Sequence, residues 1–192
     1  MKKFLLPILC FLVVLFALAL CTPDDSPSET TSESSTDSSA TEDAPEVKKI
    51  KKTVWEYHQA IDEMTDKTTY YATIESENEV KFDFPYNGGS SLTLTIRDSP
   101  QYGKNIYIRI SKGQFNHGIN GTNIKVRFDD SEPITVHCNQ PSDYSTDVLF
   151  LDNFNKVLNK IKESSTMKIN AEFFSEGTRT FTFKTEGLEW DH

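Results

Sequence analysis

From Val54 to Phe183 the chain is written in short runs whose apolar residues recur at every second position. A period of two places alternate side chains on opposite faces of an extended strand, so such a run can bury one face and wet the other. The runs are Val54-Trp55-Glu56-Tyr57-His58, Thr69 to Ile74, Val80 to Phe84, Leu92 to Ile96, Asn105 to Ile110, Ile124 to Phe128, Ile134 to Cys138, Lys168 to Phe174 and Thr180 to Phe183. Val148-Leu149-Phe150-Leu151 is continuously apolar, as suits a strand buried on both faces. Turn chemistry separates several of them. Asn87-Gly88-Gly89 predicts a hairpin between the runs at 80–84 and 92–96, because Asn and Gly tolerate the positive φ of tight turns. Pro85 should end the ladder or mark an edge. Asp129-Asp130-Ser131-Glu132-Pro133 and Glu176-Gly177 read as turns between the later runs.

One segment has a different period. Phe154, Val157, Leu158 and Ile161 stand at i, i+3, i+4 and i+7, which predicts an amphipathic helix near 153–163 with Asp152 or Asn153 as its cap. Lys156, Lys160 and Lys162 occupy its other faces. The stripe is narrow, so this helix packs on a sheet and does not enter a membrane. The whole predicts a mainly β fold: an antiparallel β-sandwich or flattened barrel of about eight to ten strands with that single helix.

The first 46 residues obey other rules. Met1-Lys2-Lys3 is a short positive start, and Phe4 to Leu20 is apolar except for Pro7. No basic stop-transfer cluster follows, so residues 1–20 read as a cleaved export signal. Thr22 to Glu46 then holds twelve Ser or Thr, eight Asp or Glu, three Pro and two Ala, with no Lys or Arg. That composition has no apolar surface to offset chain entropy, and it predicts a disordered acidic tether over 21–46. Most of the net charge of -9 resides there. From Val47 onward, 18 basic and 21 acidic residues leave the globular domain (47–192) near -3, which speaks against nucleic acid as a partner. Lys48, Lys49, Lys51 and Lys52 form a basic approach segment to that domain.

Leu18-Ala19-Leu20-Cys21 resembles the lipobox of bacterial lipoproteins, with Leu18, Ala19 and Cys21 fitting and Leu20 departing from the small residue expected there. The resemblance implies lipidation at Cys21 and a domain held at a membrane surface, on the outer face of the cell membrane or in the outer membrane. Ala17-Leu18-Ala19 also offers an A-x-A site, so cleavage after Ala19 without lipidation stays open.

Signals for chemistry are sparse. Cys10 falls in the export segment, which leaves Cys138 as a single thiol of the domain, expected to be buried. His58, His117, His137 and His192 show no metal-ligand spacing, and His137 and Cys138 are neighbours on a strand, so they point to opposite faces. Asp62, Glu63 and Asp66, and likewise Asp129, Asp130 and Glu132, are acidic clusters at loops, expected to be turn residues more than Ca²⁺ ligands. No metal, cofactor or catalytic residue is assigned. The polar, glycine-rich stretch Gly113 to Gly121 is the expected binding loop, through Phe115, Asn116 and His117.

Trp55, the run Asp62-Glu63-Met64-Thr65-Asp66, then Ala72 and Ser76 together resemble the opening of small exported bacterial domains, among them the type VI secretion-associated proteins of the VasI type. The resemblance implies a β-rich exported accessory domain and carries no catalytic residues. The expected function is therefore a cell-envelope lipoprotein with a non-enzymatic binding or accessory domain. Its partners would be the membrane, through the lipid, and an envelope protein or polymer. The alternatives are an inhibitor or exclusion factor at the envelope, and an envelope hydrolase whose site only the fold assembles.

Overall fold

A computed structural model describes residues 54–192. The export segment, Cys21, the acidic tether and the Lys48–Lys52 cluster lie outside the described residues.

The alternating runs become eleven strands and the helical stripe becomes one helix: β1 (Glu56–Asp62), β2 (Lys67–Glu75), β3 (Val80–Lys81), β4 (Gly89–Ser90), β5 (Leu92–Ser99), β6 (Gly103–Ile110), β7 (Thr122–Phe128), β8 (Ile134–Asn139), β9 (Val148–Leu151), α1 (Phe154–Glu163), β10 (Thr166–Phe173) and β11 (Gly177–Lys184). Nine of them form one sheet in the order β1-β2-β5-β6-β9-β8-β7-β10-β11, and every pairing is antiparallel. The order is open, since β1 and β11 are not paired with each other, and the sheet is not closed into a barrel. The mainly β, antiparallel expectation with a single helix therefore holds, with eleven strands in place of eight to ten.

The sheet nevertheless bends back on itself. The segment after β2 reaches the far strand: the Glu77 amide donates to the Thr182 carbonyl at 2.8 Å. Asn78 follows, its Nδ2 donating to the Thr180 carbonyl at 3.0 Å and its Oδ1 accepting from the Thr182 amide at 2.8 Å. Within the bend lies one core. Ile96, Ile106 and Ile108 from one half of the sheet, and Val126, Ile169, Phe181 and Phe183 from the other, have no exposed surface. The Val157, Leu158 and Ile161 stripe of α1 is buried with them.

Three local expectations change. The Asn87-Gly88-Gly89 turn joins β3 to β4 only, while β5 pairs with β2 on one side and β6 on the other. The run at 80–84 stops being strand at Lys81 because Phe82 leaves the ladder for the core, 5.0 Å from the Phe173 ring centroid. The helix cap is also unlike the expected one. Asn153 adopts a left-handed conformation (φ 60°, ψ 52°) and makes no side-chain cap hydrogen bond. The chain must reverse sharply between β9 and α1, and Asn accepts that geometry at small cost. The Asp152 carboxylate is engaged elsewhere, accepting from Asn139 Nδ2 at 2.5 Å.

Candidate functional site, an aromatic and histidine cleft beside the edge strand

Asp62 sets the first part of the site. Its Oδ1 accepts the Met64 and Thr65 amides at 2.9 and 3.0 Å, which folds residues 62–66 into the turn between β1 and β2. The register that follows puts Tyr57 opposite Ala72, His58 opposite Tyr71 and Gln59 opposite Tyr70. Ala72 is fully buried, so Tyr57 and Tyr70 belong to the core side and His58 and Tyr71 to the outer side.

After β11 the chain crosses back to β1. Trp55 donates its indole N–H to the Thr185 carbonyl at 3.0 Å, and the Glu189 amide donates to the Tyr57 hydroxyl oxygen at 2.8 Å. Lys162 of α1 donates to the Trp190 carbonyl. These ties seat Trp190 in the core at 3 % exposure and carry His192 onto Tyr70. The His192 and Tyr70 rings are 3.8 Å apart and inclined by 9°, and the Trp190 ring meets His192 edge-on at 5.1 Å. On the outer side, His58 stacks on Tyr71 at 4.5 Å and 7°.

The result is a cleft of about 310 Å³ lined by Tyr57, Tyr70, Tyr71, Trp190, both stacked histidines, Gln59 and the carboxylate of Glu189. Burial pushes the Tyr57 phenol above its ordinary value, the Glu189 amide pulls it back, and the Glu189 charge adds to the rise. The Trp190 indole N–H is buried and has no acceptor. An unmet buried donor costs about 1–3 kcal/mol. Chemically the cleft offers ring faces and one carboxylate, the elements that hold a flat group or an organic cation.

The expected binding loop has another task. Phe115 is 3 % exposed and packs on Phe173 at 4.9 Å, so it is a core residue and presents nothing to solvent. Its amide donates to the Thr146 carbonyl at 2.8 Å. Asn116 is exposed but anchored, its amide donating to the Glu172 carbonyl and its Nδ2 to the Glu172 carboxylate, both at 2.9 Å. His117 is half-buried, and neither ring nitrogen has a partner. The segment is thus laced along the end of β10.

Both acidic clusters stabilise turns. Besides Asp62, Asp129 accepts the Ser165 and Thr166 amides and the Thr166 hydroxyl on one carboxylate oxygen, at 3.1, 2.8 and 3.1 Å, while Asp130 pairs with Arg127 at 3.2 Å. Among the described residues no three His, Cys, Asp or Glu side chains converge as a metal site would require. Cys138 is fully buried, and burial first, then the Asp152 charge, pushes its thiol up to about 12. Its neighbour His137 points outward to Asn123 at 3.2 Å.

The alternating runs place residues 54–58 and 69–74 on strands, and no sequence pattern assigns a role to Trp190 or His192. The available signal was composition: Tyr57-His58, Tyr70-Tyr71 and Trp190-Asp191-His192 are the aromatic and histidine pairs of the domain's two ends. Trp55, Ala72 and Ser76 have structural places. Trp55 and Ala72 are buried, and Ser76 Oγ accepts the Leu92 amide at 3.1 Å. The chain matches no family model, and no curated protein or solved structure is significantly similar to it.

Proposed function

We propose that this protein is an exported lipoprotein, held through Cys21 at the cell envelope, whose β domain is a non-enzymatic binding module. The observation that carries the binding reading is the cleft of Tyr57, Tyr70, Trp190 and His192 with Glu189 in its lining. Ring faces attract a cation through their negative quadrupole, and a carboxylate at the rim adds charge complementarity. Both cleft histidines are engaged in stacking. That arrangement suits retention of a ligand more than proton transfer. An organic cation, such as a quaternary ammonium or alkylated amine carried by an envelope component, fits these elements. The lipoprotein part rests on the first 21 residues: a positive start, an apolar run and a lipobox-like end at Cys21. The opening motif, Trp55 with Asp62-Glu63-Met64-Thr65-Asp66, resembles that of VasI-type accessory proteins and fits an accessory role.

The two parts have separate tests. Titrating the full-length protein with tetraethylammonium, followed by tryptophan fluorescence, should give a saturable change that Glu189→Gln weakens. A flat response from the unaltered protein would remove the cleft reading. For the anchor, cells fed a labelled fatty acid should mark the wild-type protein and not Cys21→Ser. Equal labelling of both would remove it.

A further inference from the structure

A second surface lies on the outer side of the sheet, away from the core. Arg97 of β5 stands in register between Tyr71 of β2 and Asn105 of β6, so neither cross-strand neighbour carries a compensating charge. Its guanidinium lies 5.1 Å from the Tyr102 ring centroid, 5.6 Å from Tyr107 and 5.7 Å from Phe150. Tyr107 and Phe150 are themselves neighbours at 5.3 Å, paired in register across β6 and β9. Asn105 fixes the arrangement: its Nδ2 donates to the Tyr102 carbonyl at 2.9 Å, and its Oδ1 accepts Arg97 Nη2 at 3.3 Å. Among the described residues no carboxylate pairs with Arg97. Its Nε is buried without a partner, Nη2 is bonded to Asn105, Nη1 makes no hydrogen bond, and the residue as a whole is half-buried.

An unpaired guanidinium framed by three rings, held in place by an amide, is a preorganised site for an anion attached to a flat body. We propose that this platform binds a carboxylated sugar, a uronic acid unit of a polysaccharide. A pyranose ring presents a face of C–H groups that covers Tyr107 and Phe150 while its carboxylate meets the unbonded Nη1 of Arg97. One guanidinium matches one carboxylate. A phosphate dianion would be left half-neutralised: Arg109, the other cation on this face of β6, is committed to Asp147 at 2.7 Å, and Lys104 projects from the opposite face, paired with Asp98 at 3.6 Å. An acidic peptide side chain would meet the charge but leave the ring faces uncovered. This surface is built from β5, β6, β9 and the turn between β5 and β6, and it shares none of its residues with the Trp190 cleft, so the two readings stand or fall separately.

The test is calorimetric titration of the full-length protein in detergent with trigalacturonic acid, maltotriose and triglutamate. Trigalacturonate should bind saturably, with maltotriose and triglutamate each weaker by about tenfold or more. Raising salt should weaken trigalacturonate binding. Arg97→Gln should lower the affinity by about tenfold, and Arg97→Lys by nearly as much, since an ammonium lacks the planar fork. Tyr102→Ala provides a second variant that leaves the sheet intact, because Tyr102 is 62 % exposed; it should lose affinity severalfold. Glu189→Gln should leave trigalacturonate binding unchanged. The proposal is overturned by absence of saturable binding in the millimolar range, by triglutamate binding as tightly as trigalacturonate, or by full affinity in a folded Arg97→Gln or Tyr102→Ala protein.

Discussion

Asp129 ends β7 at φ 45°, a left-handed conformation that Asp tolerates better than most residues. One of its carboxylate oxygens accepts three hydrogen bonds from Ser165 and Thr166, which fastens the β7–β8 turn to the start of β10. Replacing it with Ala removes all three and leaves a Cβ-bearing residue with no side-chain support for positive φ. Three donors share one exposed carboxylate oxygen, so each bond is worth only the low end of the ordinary net range, about 0.7 kcal/mol, and the set contributes roughly 2 kcal/mol. The backbone strain adds about 1 kcal/mol. Asp129→Ala should therefore cost about 3 kcal/mol, Asp129→Gly about 2 because the strain is relieved, and Asp129→Asn about 1 because an acceptor and the φ tolerance remain. Urea unfolding followed by circular dichroism measures all three. For a domain of this size the Ala variant should melt lower by roughly 10 °C. The ranking Ala, Gly, Asn is the decisive feature. If Ala and Asn differ by less than about 0.5 kcal/mol, the carboxylate is not the staple described. Millimolar Ca²⁺ should leave the midpoint unmoved, because Asp129 is spent on two backbone amides and the Thr166 hydroxyl. A rise of several degrees with Ca²⁺ would refute it.

Two further outcomes are expected. Gly121→Ala places a Cβ 2.1 Å from the Cys138 carbonyl oxygen at φ +78°, and should destabilise by about 3 kcal/mol or prevent folding, read by the same unfolding curves. Cys138 should resist iodoacetamide at pH 8 in the native protein and react once guanidinium unfolds it. Its thiol is raised in the fold to about 12, so native and unfolded chains hold the same proton below the unfolded value of about 8.5. Above it the unfolded state ionises first, and stability should fall as pH climbs from there towards 12; Cys138→Ala should flatten that decline.

What the chain revealed before its structure was local. The β7–β8 and β10–β11 hairpins follow from alternating runs joined by Asp129–Pro133 and Glu176-Gly177, and α1 follows from a four-residue apolar stripe; each signal and its consequence lie within a few residues. Non-local pairings were not legible. Nothing near β5 says that its neighbour is β2 and not the run across Asn87-Gly88-Gly89, and nothing near β9 says that it inserts between β6 and β8. Both surfaces proposed for binding depend on such pairings. Arg97 meets Tyr107 and Phe150 only after three strands are in register, and Tyr70 meets His192 only after the last residues return to the first strands. Phe115 misled for the complementary reason. A polar, glycine-rich context marks a loop, but which of its side chains turns inward depends on Phe82 and Phe173, far away in sequence.

Asn78 occupies the margin of the sheet where a tenth strand would otherwise dock. Its amide offers a donor and an acceptor to Thr180 and Thr182 at the spacing of a neighbouring peptide group. Exposed ladder edges are templates on which identical chains stack. By lending one side chain as a counterfeit peptide, with the Glu77 amide beside it, the molecule occupies the middle of its own β11 edge, where another strand would have to pair.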